Sequence, residues 1–386
     1  MTRTNTPTIH WIGTGLSATP GLRRLIERKH NVVVWNRTIE KAEAEVGDLT
    51  RNIKAFSIDA LKADLKKGDA VVSMLPGDWH VPLAKICLEN AANFVSSSYI
   101  SPQMQELNEQ AKKAGLSFVN EVGLDPGIDH SMAHWLVADY KASAAYNKDN
   151  IISFTSYCGG IPKTPNKFCY KFSWSPLGVL KALRSPSRSI ADFKELNVER
   201  PWNAISSYNA PLPKSETFEV YPNRDSIPFM QDYKFDAHWN VKQFVRGTLR
   251  LNGWTKAWAD VFNEVETLEG EAGDKRMKEM SDQFWAENSY DKGEPDRVVM
   301  FVSLKAENDN GTQYHKTYSM DDFGDAKFTS MARLVSIPVS IAVEAVLSGE
   351  IEKGVSAAPS SPMLVKRWMD TVSEIADHLE IVDHTF

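Results

Sequence analysis

Residues 13–18 read Gly13-Thr14-Gly15-Leu16-Ser17-Ala18, and no other stretch restricts the fold as tightly. A short apolar run at residues 8–12 leads straight into it, and a helical pattern at residues 20–29 follows. In such a strand–turn–helix the first glycine permits the tight turn, and the second lets a pyrophosphate approach the backbone. A small third residue lets helix and sheet pack closely, while the helix N-terminus faces the anion. The motif alone is weak. Here its context agrees, because a second apolar strand is expected at residues 31–35.

The tip of that second strand selects the cofactor. NAD-preferring folds place Asp or Glu there for the ribose hydroxyls. This chain has Asn36-Arg37-Thr38. An arginine suits a 2′-phosphate, through charge-assisted hydrogen bonds and stacking on adenine. NADP(H) is therefore the expected cofactor.

The α/β alternation continues: helix at 41–46, extended chain at 53–58, helix at 60–67, strand at 70–76, helix at 80–90 and strand at 93–97. A helix over 102–114 would carry Ser101 as N-cap and proline at its first position. Such alternation predicts a parallel sheet with ligands outside the carboxyl ends of its strands. Those ends present Leu75-Pro76-Gly77, Ser97-Ser98-Tyr99 and Gly123-Leu124-Asp125, which should converge on the nicotinamide. The last belongs to Asn120-Glu121-Val122-Gly123-Leu124-Asp125-Pro126-Gly127-Ile128-Asp129-His130, a turn rich in Gly, Pro and acidic residues. Asp125 there has two readings, a helix N-cap or a group facing a ligand.

Two domains are the natural expectation for 386 residues. After a helix at 131–145 the pattern changes. A strand at 152–157 runs into Cys158-Gly159-Gly160, and one or two amphipathic helices are expected over 255–286. Residues 298–306 and 313–319 alternate around Asn308-Asp309-Asn310-Gly311, a hairpin signal. Helices at 337–347 and 362–379 are expected to return to the first domain. The reading is α/β: a Rossmann-type parallel-sheet domain at residues 1–130 with a return at 331–386. Residues 131–330 form a second, mixed α/β substrate and dimerisation domain with a helical insert at about 255–290.

Formal net charge is −6 with no basic block, so no nucleic-acid partner is expected. Apolar runs fall short of the roughly 20 residues a membrane-spanning helix needs. The polar N-terminus leads directly to a strand, with no signal peptide expected. Cys87, Cys158 and Cys169 lack CxxC spacing and suit a reducing compartment, so a cytoplasmic protein is expected. His130 and His134 lie four apart but lack the glutamate of HExxH and a third ligand, and no metal is expected.

Distinctive blocks run in order along most of the chain: the turn at 13–18, Ser98-Tyr99-Ile100-Ser101-Pro102 and residues 120–130. They continue as Ser156-Tyr157-Cys158-Gly159-Gly160, Tyr170-Lys171-Phe172-Ser173-Trp174-Ser175, Tyr221-Pro222-Asn223-Arg224-Asp225 and Val245-Arg246-Gly247-Thr248-Leu249-Arg250. Together they resemble the saccharopine dehydrogenases of the NADP-dependent, L-glutamate-forming type. The match is weakest over 252–296, where eukaryotic members hold a longer helical insert.

The resemblance implies interconversion of saccharopine, NADP and water with L-glutamate, 2-aminoadipate 6-semialdehyde and NADPH, by a homodimer. It implies that Gly13, Thr14, Gly15 and Leu16 hold the pyrophosphate and that Asn36, Arg37 and Thr38 hold the adenosine phosphate. Leu75, Ser98, Leu124, Pro126 and Ser173 would also touch the cofactor. Ser98, Tyr99, Asp125, Arg224, Arg246, Gly247 and Thr248 would surround saccharopine. The chemistry agrees: three carboxylates call for cations, which Arg224 and Arg246 supply, and the amine calls for an acceptor such as Asp125. Tyr99 can donate a hydrogen bond or relay a proton. Cys158 joins Asp125 and Tyr99 as a candidate for the chemistry. With no sequence-defined histidine partner, a thiol lining the substrate is favoured over a nucleophile. Two alternatives remain, a carboxynorspermidine synthase-like condensation of an aldehyde with a diamine and a non-catalytic NADPH sensor.

Overall fold

The computed structural model describes residues 6–385. The chain divides into two compact units, one running to Ser131 and taking in Ala332–Ile375, the other Met132–Met331 with the residues from Ala376 on.

In the first unit β1 (Ile9–Ile12), α1 (Thr19–Glu27), β2 (Val32–Asn36), α2 (Ile39–Val46), β3 (Ile53–Ala55) and α3 (Ile58–Asp64) are followed by β4 (Ala70–Ser73), α4 (His80–Glu89) and β5 (Asn93–Ser96). The strands pair only in parallel, in the order β5-β4-β1-β2-β3. Ile9, Trp11 and Val34 join one buried cluster with Leu22 and Leu25 of α1, while Ile12, Val33 and Trp35 join another with Leu61 and Leu83. Successive side chains thus enter opposite helical layers, which is why these strands read as unbroken apolar runs. The strand order turns back between β1 and β4, so the crevice for a ligand opens at their carboxyl ends. The helix expected at 102–114 is two, α5 (Pro102–Gln105) and α6 (Asn108–Ala114), with the Ser101 hydroxyl accepting from the Met104 N–H at 3.1 Å. β6 (Ser117–Val119) joins β5, and α7 (Ile128–Ala142) follows the 120–127 turn.

The second unit is built on β7 (Ile151–Pro162), α8 (Pro176–Leu183), β8 (Ser187–Ala191), β9 (Lys194–Val198), β10 (Ser206–Ala210), β11 (Glu216–Pro222), α9 (Pro228–Asp232) and β12 (Asn240–Leu251). The insert is three helices where one or two were expected: α10 (Trp254–Ala257), α11 (Ala259–Glu266) and α12 (Gly270–Asn288). They bury Trp254, Trp258, Phe262, Met277 and Phe284 with Leu180 of α8. β13 (Asp296–Asn308) and β14 (Gly311–Phe323) form the expected hairpin. β7 lies parallel to β12 and antiparallel to β13. It also runs on through Cys158-Gly159-Gly160 rather than ending there. A Cβ on Gly159 would lie 2.4 Å from the Leu249 carbonyl oxygen, so the glycines serve close packing and not termination.

The return consists of α13 (Ser330–Leu347), β15 (Gly354–Ser356) beside β6, and α14 (Pro362–Ile375). A Cβ on Gly21 of α1 would lie 1.9 Å from the Ser336 carbonyl oxygen, so glycine is what lets α1 and α13 touch. Two expectations need amending. The last helix stops at Ile375, and β16 (His378–Asp383) joins β14 in the second unit's sheet. α13 is long and apolar enough to cross a membrane, yet 67% of that window is buried, with Val339, Ala342 and Val343 in the first unit's core. It is a core helix.

Candidate active site

The turn after β1 has the geometry its sequence demands. Gly13 sits at φ +100°, and its N–H donates to the Trp35 carbonyl at 2.8 Å. A Cβ on Gly13 would press on the Met74 carbonyl at 3.2 Å and on Leu75 Cδ2 at 3.3 Å, whereas one on Gly15 meets no atom within 4 Å. The first glycine serves the turn and the second leaves an approach open. Asn36 Oδ1 accepts from the Thr14 N–H at 3.4 Å, and its Nδ2 donates to the Thr38 carbonyl at 2.7 Å. One side chain therefore ties the glycine turn to the tip of β2. The Thr14 hydroxyl is buried there with no hydrogen-bond partner among the described residues. Leu16 is 53% exposed. Arg37 is exposed, and among the described residues no carboxylate pairs with it. An open glycine turn at a helix N-terminus, beside an uncommitted guanidinium, is chemically suited to a pyrophosphate and one further phosphate.

Beyond β4, β5 and β6 lies a cleft of about 370 Å³ lined by Gly77, Asp78, His80, Ser98, Tyr99 and Asn120, among others. The segment Ser98-Tyr99-Ile100 is held at every residue. The Ser98 carbonyl accepts from the Glu121 N–H at 3.0 Å, and the Ile100 N–H donates to Glu121 Oε1 at 2.8 Å. The Tyr99 hydroxyl donates to Asp125 Oδ1 at 3.0 Å. His80 Nε2 meets Ser98 Oγ at 2.8 Å and His80 Nδ1 meets Ser73 Oγ at 3.0 Å. Burial pushes the His80 imidazole down to about 4, with Asp78 pulling more weakly the other way.

Glu121 is buried at φ +56°, a left-handed backbone that a residue other than glycine adopts only where its surroundings fix it. Its Oε2 pairs with His130 Nε2 at 2.8 Å. His134, the other histidine of the pair four residues apart, packs edge-on against Tyr233 at 5.6 Å. The Gly123 N–H bonds the Pro126 carbonyl at 2.9 Å, and a Cβ on Gly127 would lie 2.1 Å from the Gly123 carbonyl oxygen. Asp129 Oδ1 accepts from the Gly127 N–H at 2.7 Å. Asp125 stays half-buried beside Tyr99, between buried Leu124 and Pro126.

In the second unit, β12 carries Arg246, Gly247 and Thr248, in register with Ser156, Tyr157 and Cys158 of β7. Cys158 and Thr248 are thus cross-strand neighbours. The buried Arg246 guanidinium lies 4.0 Å over the Phe229 ring, and the Arg246 backbone N–H donates to Ser226 Oγ at 3.0 Å. The Arg246 carbonyl accepts from the Asn223 N–H at 2.9 Å, which brings the neighbouring Arg224, exposed at φ +58°, to the same strand junction. A Cβ on Gly247 would lie 2.8 Å from the Tyr157 ring. Ser173 is buried, its Oγ 3.6 Å from a Cβ built on Gly160.

Two residues tied to these groups, Glu121 and Arg250, escaped the sequence reading, and His80, expected at a helix start or on the nicotinamide side, has a defined bond to Ser98. His80 and Glu121 brace the Ser98–Ile100 segment. Arg250, buried under Tyr170 at 4.9 Å, Trp254 at 5.5 Å and Tyr221 at 5.7 Å, follows Thr248 at strand spacing. The Tyr221 hydroxyl bonds both Thr248 and Arg250, and burial raises its pKa. Period two along β12 was the signal for Arg250. A glutamate whose partners are remote in sequence gave none.

Residues 9–119 match the saccharopine dehydrogenase NADP binding domain, and residues 123–376 the saccharopine dehydrogenase C-terminal domain. A relative from Pyricularia oryzae, a saccharopine dehydrogenase [NADP(+), L-glutamate-forming], is 28% identical over 92% of this chain and 94% of its own. One of the same name from Saccharomyces cerevisiae is 30% identical over 91% of this chain and 93% of its own. The apo structure of saccharopine dehydrogenase (L-Glu forming) from Saccharomyces cerevisiae superposes with a TM-score of 0.79 at 26% identity, covering 98% of this chain and 99% of that one. The chain belongs to the saccharopine dehydrogenase family.

Proposed function

We propose that this chain is an NADP(H)-dependent oxidoreductase that interconverts saccharopine, NADP and water with L-glutamate, 2-aminoadipate 6-semialdehyde and NADPH. The family match and the full-length likeness to enzymes of that name support the reaction. The observation that carries it onto these residues is the Tyr99–Asp125 hydrogen bond at 3.0 Å, within the unit that holds the glycine turn.

The cofactor fits the residues present: Gly15 leaves space for phosphate, the Thr14 hydroxyl lacks a partner among the described residues, and Arg37 is exposed beside a tip without carboxylate. Gly13, Thr14, Gly15 and Leu16 would line the pyrophosphate. Asn36, Arg37 and Thr38 would hold the 2′-phosphate end, and Leu75, Ser98, Leu124, Pro126 and Ser173 the remainder. NADP, when bound, supplies the acceptor for a hydride.

Asp125 faces the secondary amine and stabilises the positive charge that develops as hydride leaves the adjacent carbon. Tyr99 orients that carboxylate and is placed to donate or relay a proton. Water then adds to the imine carbon, and breaking its bond to nitrogen gives aldehyde and glutamate. In the second unit Arg224 and Arg246 take carboxylates, with Gly247 and Thr248 beside them. Cys158, next to Thr248, lines the substrate. A homodimer in the reducing cytoplasm completes the proposal, supported by the family resemblance and by cysteines without CxxC spacing.

The test is NADPH absorbance with 2-aminoadipate 6-semialdehyde and glutamate, then NADP with saccharopine. Turnover in both directions, far faster than with a diamine in place of glutamate, is expected. Oxidation of NADPH only with a diamine and aspartate semialdehyde would overturn the substrate assignment. Binding without turnover would overturn catalysis.

A further inference from the structure

His80 is a buried histidine at the cleft whose two ring nitrogens both meet hydroxyls, and the two hydroxyls differ in their surroundings. Ser73 is fully buried, and among the described residues its hydroxyl has one partner, His80 Nδ1 at 3.0 Å. A hydroxyl proton sealed from water needs an acceptor, and Nδ1 is the acceptor available. Ser73 therefore donates and Nδ1 accepts, which puts the ring proton on Nε2. Nε2–H then donates to Ser98 Oγ at 2.8 Å. With its lone pair engaged, Ser98 turns its own proton away from His80. Ser98 is half-buried and lines the cleft, so the cleft is where that proton points.

We propose that His80 is a positioning residue, held as the Nε2–H tautomer by Ser73, which makes the Ser98 hydroxyl an obligate hydrogen-bond donor to an acceptor oxygen of the bound ligands. The opposite tautomer would strand the buried Ser73 proton and turn the Ser98 proton back onto Nε2. A charged imidazolium would donate at both nitrogens and again strand Ser73; burial opposes it, holding the ring down to about 4. The acceptor is a carbonyl or carboxylate oxygen, with two sources, the cofactor's carboxamide and a substrate carboxylate. The choice between them rests on the proposed saccharopine reaction, whereas the tautomer does not.

The first measurement is the ¹⁵N shifts of the His80 ring in the full-length protein at neutral pH, assigned by their loss in His80→Gln. An Nε2–H tautomer is expected; an Nδ1–H or doubly protonated ring would overturn the proposal whatever the enzyme turns over. Kinetics form the second arm. Ser98→Ala and His80→Leu should each lower kcat/KM by about 10- to 100-fold, the range a lost hydrogen bond to a bound ligand spans. The double variant should be no worse than either, because both remove one donor. His80→Gln, which keeps an amide N–H toward Ser98, should recover most of the loss. Losses that multiply, or a glutamine no better than leucine, would overturn it. A weaker NADPH Kd in Ser98→Ala assigns the donor to the cofactor, and a raised saccharopine KM at unchanged NADPH Kd assigns it to the substrate. Neither change would overturn the donor role.

Discussion

The Tyr99 hydroxyl donates to Asp125 Oδ1 at 3.0 Å, a side-chain bond at the cleft between two strand-end loops of one parallel sheet that the Glu121 carboxylate also ties together through Ile100. Removing either partner separates orientation from charge. Asp125→Asn keeps the size and the Tyr99 contact but removes the negative charge that a developing cation needs. Its kcat should fall about 10- to 100-fold, the range for losing a charge-assisted hydrogen bond, while the NADPH Kd stays within about threefold. Tyr99→Phe should fall less. Steady-state kinetics with NADPH titration checks both, and an unchanged rate in Asp125→Asn removes the residue from the chemistry.

Arg37 stands exposed at the tip of β2, where Asn36 rather than a carboxylate ends the strand. Arg37→Asp replaces a phosphate partner with a repulsive charge. NADPH should bind about 10- to 100-fold more weakly, with NADH little changed or improved. Fluorescence titration with the two cofactors decides it, since equal losses for both would rule out contact with the 2′-phosphate.

Much of this was legible in the chain itself, and the reasons differ by region. The glycine turn, the strand tips and the Ser101 cap are local signals, so Gly13, Gly15, Asn36 and the Met104 N–H bond to Ser101 lie where periodicity and turn chemistry put them. The Gly159-Gly160 pair misled because glycine looks like a breaker until its neighbour is known; here that neighbour is Leu249, 90 residues away. The end of the final helix failed for a related reason. Residues 378–383 have a strand partner in β14, and pairing with a remote strand outweighs a weak local helical preference. Glu121 was illegible because it acts on Ile100 from a separate loop, and His80, readable as a helix-start or nicotinamide-side residue, did not disclose its Ser73 and Ser98 partners.

Glu121 couples local strain to the cleft. Its carboxylate takes the Ile100 N–H on one oxygen and His130 on the other, at a backbone angle few residues adopt. Glu121→Gln keeps an acceptor for Ile100 but sets an amide against His130 in a buried place. Stability should fall by about 1–3 kcal/mol, while kcat should change little because Ile100, beside Tyr99, keeps its acceptor. Urea unfolding and turnover, measured together, check it. A variant as stable as the parent would show that the His130 contact contributes nothing to the fold.

His80 makes a separate statement about pH. Burial holds its folded pKa near 4 against an ordinary 6.5, so between those values the unfolded chain binds a proton that the folded one does not. Stability from this residue is complete above about 6.5, declines as pH falls toward 4, and changes no further below that. The span corresponds to roughly 3 kcal/mol at about 1.4 kcal/mol per pH unit. His80→Gln removes the titration and leaves the remaining carboxylates and histidines in place. The stability difference between parent and variant, from urea unfolding at pH 7.5 and pH 4.5, should therefore shrink at the lower pH by up to that amount. A difference that stays constant across the window would mean the imidazole is hydrated or charged in the folded protein, and the Ser73–His80–Ser98 chain would lose its basis.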